Sequence, residues 1–264
     1  MSRQTEAVWD PAQYGIFGDE RARPFAELVG RIGGVEPRHV VDLGCGSGEL
    51  TATLAARWPG AVVEAFDSSP EMIAAARAHA IPGRLNFTVG DVAGWQPAGP
   101  VDVIVSNAVL HWVPQHPELL PRWVDALAPG GRLAFQVPGN FDAPSHTLLR
   151  DLCRSPRWND ELGTIGRADS VLTPEEYLDL LARHGCAVDA WETTYAQVLH
   201  GDDPVLEWVK GTALRPVLAA LGDAEAREFL GSYRTLLREA YPPAAHGTVF
   251  PFRRVFVIAG RGAP

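Results

Sequence analysis

Apolar positions in the first half of the chain fall into two rhythms. Short runs rich in β-branched residues read as strands: "RHVVDL" (38–43), "AVVEAF" (61–66), "LNFTV" (85–89), "VDVIVSNA" (101–108) and "RLAFQV" (132–137). Between them, "GELTATLAARW" (48–58) and "ELLPRWVDALA" (118–128) carry apolar residues at helical spacing. "SSPEMIAAARAHA" adds helix-start signals, with Ser69 as N-cap and Pro70 at the first helical position. Apolar strands separated by helices of about ten residues predict a parallel sheet covered on both faces.

After Val137 the rhythm breaks. Residues 138–172 are rich in Pro, Gly, Asn and Arg, with a short helical piece around "HTLLRDLCR". "TPEEYLDLLARHG" (173–185) is a helix with signals at both ends. Thr173 caps it, Pro174 opens it, Glu176 completes a capping box and Gly185 stops it. "AVDAWETTYAQVL" (187–199) and "TVFPFRRVFVIAG" (248–260) are further strands, and 203–240 reads as helix in two pieces. The fold class is therefore α/β, a doubly wound sheet. No linker is evident, so 1–264 reads as one domain. Residues 138–172 and 200–246 are the material for a cap or lid over the carboxyl ends of the strands, and 1–30 for an N-terminal segment closing the site.

Composition narrows the function. Apolar residues make up 46 % and charged residues 21 %, an ordinary globular balance. The net charge of −9 argues against a broad positive face for nucleic acid. An anionic small substrate would need a local cationic pocket. Lys210 is the single lysine, and arginines supply the remaining basic charge. Cys45, Cys153 and Cys186 form no CxxC and no paired Cys/His spacing. They read as reduced thiols of a cytoplasmic protein, with no metal site. No apolar signal region and no stretch of about 18 uncharged apolar residues occurs, so neither a signal peptide nor a membrane span is expected.

The chemistry centres on "VVDLGCGSGELT" (40–51). A P-loop is excluded, because no GK[ST] follows. The glycine spacing is G-x-G-x-G, not the G-x-G-x-x-G of dinucleotide loops. Asp42 and Glu49 flank the turn. Two carboxylates there repel phosphate and favour an ammonium or a sulfonium. Asp67 ends the second strand, where a carboxylate accepts both hydroxyls of a ribose. Asp91 follows the third strand and can receive an adenine amino group. Asn107 ends the fourth strand, with His111 and Trp112 beside it. This order of acceptors fits S-adenosyl-L-methionine. The expected cofactor set is Asp42, Gly44, Cys45, Gly46, Asp67, Ser68, Asp91, Val92 and Asn107.

"VVDLGCGSGELT", "FDSSPEMIAAA" and "NAVLHWV" resemble class I S-adenosylmethionine-dependent methyltransferases. "WDPAQYGIFGDERARPFAELVGRI", "WETTYAQVL", "LEWVKGTALRPVL", "FLGSYRTLLREAYP" and "FPFRRVFVIA" extend the resemblance nearly end to end, to the trans-aconitate 2-methyltransferase family. Ser47 and Glu49 stand where that family commonly has proline and asparagine. The resemblance implies a mostly parallel seven-stranded sheet with an antiparallel last strand. It also implies methyl transfer to one carboxylate of trans-aconitate, giving a monomethyl ester. A carboxylate acceptor is already ionised at neutral pH, so no catalytic base is expected. The acceptor would be a trianion held by arginines. Arg23 and Arg215 each precede a proline in a family-like motif; Arg21 and Arg167 are weaker candidates. Tyr14, His111, Trp112, His146 and Tyr195 complete the candidate substrate set, with Trp9, Trp95 and Tyr241 as further neighbours. Trp58, Trp123 and Trp208 read as core. Two other readings remain open at this point. The acceptor could be a natural product or quinone-like ring, with His111 as base, or the chain could bind the cofactor without turnover. A nicotinamide dehydrogenase is disfavoured by the acids around the loop.

Overall fold

The computed structural model describes residues 18–165 and 171–262. These divide into two compact units. The first holds 18–138, 171–193 and 254–262; the second holds 139–165 and 194–253. Trp9, Tyr14 and Arg167 lie outside the described residues, as does the side chain of Arg21.

In chain order the elements are α1 (Gly18–Gly30), β1 (His39–Leu43), α2 (Glu49–Arg57), β2 (Val62–Asp67), α3 (Pro70–Ala76), β3 (Leu85–Val89), β4 (Val101–Asn107), α4 (His116–Asp125), β5 (Leu127–Pro138), α5 (Pro144–Cys153), α6 (Asn159–Leu162), α7 (Pro174–Ala182), β6 (Cys186–Leu199), α8 (Pro204–Lys210), α9 (Arg215–Ala220), α10 (Asp223–Ala240), β7 (Pro243–Ala244) and β8 (Gly247–Arg261). The sheet runs β3-β2-β1-β4-β5-β8-β6, with β7 beside β8. β1 to β5 pair in parallel, and β8 runs antiparallel to β5. All seven expected strands are present. β7 is an added eighth of two residues.

The sheet of the first unit is buried on both faces. Val103, Ile104, Val105, Leu133, Ala134 and Phe135 have no exposed surface, as a parallel sheet between helices requires. One core layer gathers Val41, Leu43, Trp123, Phe135, Tyr177 and Val257. From β1 the chain winds outward to β2 and β3, then crosses back to β4 and β5. The order reverses between β1 and β4, which opens a crevice at their carboxyl ends.

Local signals hold where they were strong. Ser69 Oγ accepts the Met72 N–H at the start of α3. Thr173 and Glu176 form both bonds of the capping box on α7. Weaker signals shifted. α1 was missed because Pro24 lies inside it. Its face is nonetheless legible, with Phe25, Leu28 and Val29 buried at helical spacing and Ile32 buried just beyond its end. β5 starts at Leu127, inside the stretch 118–128 read as a helix, and its pairing with β4 shifts between Val101 and Val103. Gly131 makes this possible, since a Cβ there would lie 2.9 Å from Ala128 O. The stretch 203–240 forms three helices instead of two.

In the second unit the core is aromatic. Trp158 packs edge-on against Phe229, and Phe250 lies among Trp208, Tyr241 and Phe252.

Candidate functional site

The glycine loop is held by backbone bonds to the end of β2. The Gly44 and Cys45 N–H groups both donate to Phe66 O, at 2.7 and 3.0 Å. Gly44 has φ +90°, and a Cβ on it would lie 2.0 Å from Val109 Cγ2. Glycine is needed there for conformation and for space. Gly46 differs: among the described residues nothing lies within 4 Å of where its Cβ would be. The loop is clamped at Gly44 and open at Gly46, so its backbone is approachable at one place.

Asp67 organises the turn. Its Oδ2 accepts the Gly46 N–H and its Oδ1 accepts the Ser69 N–H, both at 2.9 Å. A carboxylate has about four acceptor positions. Two remain for a ligand, and the side chain is only half-buried. Ser68 next to it is exposed.

Asp42 sits beneath the loop, 3 % exposed, and accepts the Thr51 hydroxyl at 2.6 Å. Burial pushes its carboxyl up to about 7, with the nearby Asp67 charge adding to the rise and the Thr51 bond opposing it. The same burial, then the Asp42 and Asp67 charges, push the Cys45 thiol well above its usual range. Cys45 is therefore an uncharged thiol; its backbone N–H is spent on Phe66 O and its carbonyl accepts the Gly48 N–H at 3.1 Å. Asp91 is exposed, and its Oδ1 accepts the Ala93 N–H at 2.9 Å in a local turn. Val92 is buried beside it.

At the end of β4, Asn107 is half-buried and its Oδ1 has no hydrogen-bond partner among the described residues. Ala108 follows with φ +58°, a left-handed conformation that alanine adopts at a cost of about 1 kcal/mol or more. The strain turns the chain sharply where Asn107 leaves the sheet. His111 is half-buried with its ring 4.7 Å from that of Trp112, which is 42 % exposed. Asp42, Gly44, Gly46, Asp67, Asp91 and Asn107 thus stand at the carboxyl ends of β1 to β4. The loop exposes acceptors and one open backbone stretch, with no cationic side chain of its own. Such a set fits a cation that carries hydroxyl and amino donors. Among the described residues, no cluster of three His, Cys, Asp or Glu side chains is arranged for a metal ion. No helix among them is long and apolar enough to cross a membrane.

The remaining candidates divide between the units. Arg23 is exposed on α1 in the first. His146, Tyr195 and Arg215 belong to the second. His146 Nδ1 lies 3.1 Å from Ser145 Oγ, and burial, then the Arg150 charge, lower its pKa to about 4. It is a neutral imidazole. Tyr195 is 3 % exposed on β6. Arg215 is half-buried at the first position of α9. The Tyr241 hydroxyl accepts the buried Ser145 N–H at 3.0 Å and the Tyr233 hydroxyl donates to Ser145 O, so both tyrosines hold the start of α5. Trp58, Trp123 and Trp208 are buried, as read from their spacing. Trp95, expected near a ligand, is half-buried and packs between Phe66 and Trp123.

Two polar residues escaped the sequence reading. Gln136 on β5 is fully buried, and Arg254 on β8 is 5 % exposed. The Arg254 guanidinium donates to Gln136 Oε1 at 3.2 Å. The two positions lie 118 apart in the chain. No linear motif joins them; a Gln and an Arg inside otherwise apolar strands were the available signals.

Comparison with known proteins places this geometry. A family model described as a methyltransferase domain matches residues 17–190. A trans-aconitate 2-methyltransferase of Streptomyces avermitilis is 55 % identical over 262 residues, covering 97 % of each chain. One from Streptomyces coelicolor is 54 % identical over 264 residues, covering 97 % of this chain and 87 % of that one. Among solved structures, Haemonchus contortus phosphoethanolamine N-methyltransferase 2 in complex with S-adenosyl-L-methionine aligns with a TM-score of 0.55 at 16 % identity. That alignment covers 91 % of this chain and 52 % of that one; at that identity it bears on the fold alone.

Proposed function

We propose that this chain, which belongs to the trans-aconitate 2-methyltransferase family of S-adenosylmethionine-dependent methyltransferases, transfers a methyl group to one carboxylate of trans-aconitate or a closely related polycarboxylate, releasing a monomethyl ester. The observation that carries the substrate reading is identity above half over nearly the whole chain with relatives that bear that name.

S-adenosylmethionine, when bound, supplies an electrophilic methyl group on a sulfonium. Asp42 and the backbone of Gly44, Cys45 and Gly46 would hold its methionine portion, Asp67 and Ser68 its ribose, and Asp91 and Val92 its adenine. The open acceptor of Asn107 fits a donor of the same molecule. The acceptor carboxylate is ionised at neutral pH, so the chain's own task is to hold it in line. Orientation of this kind can contribute roughly 7–11 kcal/mol. Arg23 and Arg215, with Tyr14, His111, Trp112, His146 and Tyr195, are the residues we assign to the substrate. A guanidinium on each idle carboxylate contributes about 1.5–3 kcal/mol.

The test is mass spectrometry of purified protein incubated with S-adenosylmethionine and a panel of tricarboxylates. The expected result is a single methyl ester, formed fastest from trans-aconitate. A rate flat between about pH 6 and pH 9 accompanies a carboxylate acceptor. At saturating cofactor, where the titration of Asp42 no longer limits binding, a limb rising near about pH 6.5 would instead make His111 a base for a different acceptor.

A further inference from the structure

The carboxyl end of β5 carries a second polar feature, distinct from the glycine loop. Gln136 pairs in register with Asn107 on β4, and its antiparallel partner on β8 is Phe256. Arg254 opposes Pro138, two residues further along β5. Residues two apart along a strand share a face, so Gln136 and Arg254 lie on the same side of the sheet. The hydrogen bond between them confirms it.

That bond also fixes the amide. A guanidinium has donors and no acceptor, so the Gln136 oxygen must turn towards Arg254 and the NH2 group away from it. Gln136 is fully buried, and its Nε2 has no partner among the described residues. A buried donor without an acceptor is rare in folded proteins and usually marks a missing group. The pair presents N–H donors and a fixed positive charge. Neutral donors of a ligand have nothing to meet there; an anionic oxygen does.

We infer that Gln136 and Arg254 form the seat for a carboxylate of the acceptor, one that is held and not methylated. The inference rests on the polycarboxylate reading above. Gln136 lies two residues from the end of β5, where open α/β sheets take their ligands. Gln136 Nε2 donates to one carboxylate oxygen, and Arg254 supplies the opposing charge. Asn107, on the neighbouring strand, offers an acceptor instead and so selects the other ligand.

The experiment uses full-length protein with Gln136→Glu, which keeps the shape, places an anion where donors stood and pairs with Arg254. Affinity for trans-aconitate is measured by calorimetry in the presence of S-adenosylhomocysteine, alongside KM. We expect Gln136→Glu to weaken trans-aconitate about a hundredfold while affinity for S-adenosylhomocysteine stays within about twofold. Gln136→Met, which keeps volume and removes the donors, should weaken it about tenfold and covers the case in which the glutamate variant does not fold. Arg254→Lys, keeping charge without the fork, should fall between the two. Unchanged trans-aconitate affinity in a folded variant overturns the seat. So does a parallel loss of both ligands, which would mark a structural role. A wild-type protein that neither binds nor methylates trans-aconitate overturns the substrate reading itself, and with it the seat.

Discussion

The carboxyl ends of β1, β2 and β4 differ from the carboxyl end of β5, with the antiparallel stretch of β8 beside it, in the sign of what they present. The first group offers acceptors: Asp42, Asp67 and Asn107. The second offers donors, Gln136 Nε2 and the Arg254 guanidinium. Both belong to one sheet, and Asn107 and Gln136 are register neighbours. The reaction joins a cationic methyl donor to an anionic acceptor. With the residue roles proposed above, a site with one sign at each end would sort the two substrates before any close contact is made, because each would be repelled by the other's place. The difference also suits the chemistry, since both charges are neutralised as the ester forms.

The largest expected effect comes from removing the acid at the centre of the acceptor side. In Asp67→Ala the Gly46 and Ser69 N–H groups lose their shared acceptor, and the ribose loses its carboxylate. Affinity for S-adenosylhomocysteine should fall about a hundredfold to a thousandfold. Affinity for trans-aconitate, read at saturating cofactor, should change by less than about threefold. A loss shared equally between the two ligands would break the division between the two ends.

The two ends were unequally legible in the sequence. Asp42, the three glycines and Thr51 lie within ten consecutive positions, because a strand, a tight turn and a helix start must follow one another to make the loop. Their chemistry could be read from spacing. Asp67, Asp91 and Asn107 could be found because each ends a strand that announced itself by its apolar run. Gln136 and Arg254 are joined only by the sheet. Each sits in a strand whose apolar pattern absorbs it without changing the prediction, Arg254 beside Arg253 in β8 included. α1 was lost to Pro24 although its buried stripe was present. The three helices between 203 and 240 merged because the breaks at Gly211 and Gly222 are short.

The loop itself sharpens the contrast between packing and approach, at a smaller cost in stability. Gly44→Ala meets Val109 Cγ2 and places alanine at φ +90°. It should lower unfolding stability by about 3 kcal/mol and abolish cofactor binding with it. Gly46→Ala meets nothing within 4 Å among the described residues, at φ +55°. It should destabilise by only about 1 kcal/mol yet weaken the cofactor at least tenfold, because the methyl group occupies the approach. Thermal unfolding and calorimetry on the same samples separate the two effects. Equal loss of stability in both variants would mean that Gly46 is packed and not a point of approach.

The smallest effect is a slope with pH, and it too should belong to one end alone. Asp42 titrates near 7 in the folded chain, above the usual carboxylate range. Its contribution to stability is therefore fully present below about pH 4 and is lost as the pH rises through about 7, where a buried carboxylate must ionise. Cofactor affinity runs the other way. A cation in the loop favours ionised Asp42, so binding below pH 7 expels a proton. Affinity should rise up to tenfold per unit between about pH 5.5 and pH 7, then level off. Asp42→Asn should remove the slope and leave a weaker, pH-independent affinity. Gln136 and Arg254 have no group that titrates in this window, so trans-aconitate affinity at saturating cofactor should stay level between about pH 6 and pH 8. Calorimetry in two buffers of different ionisation enthalpy counts the proton directly. Finding no proton released on cofactor binding at pH 6 would mean that Asp42 keeps one protonation state in the free and bound protein, and the charge contrast would then not be induced by the ligand.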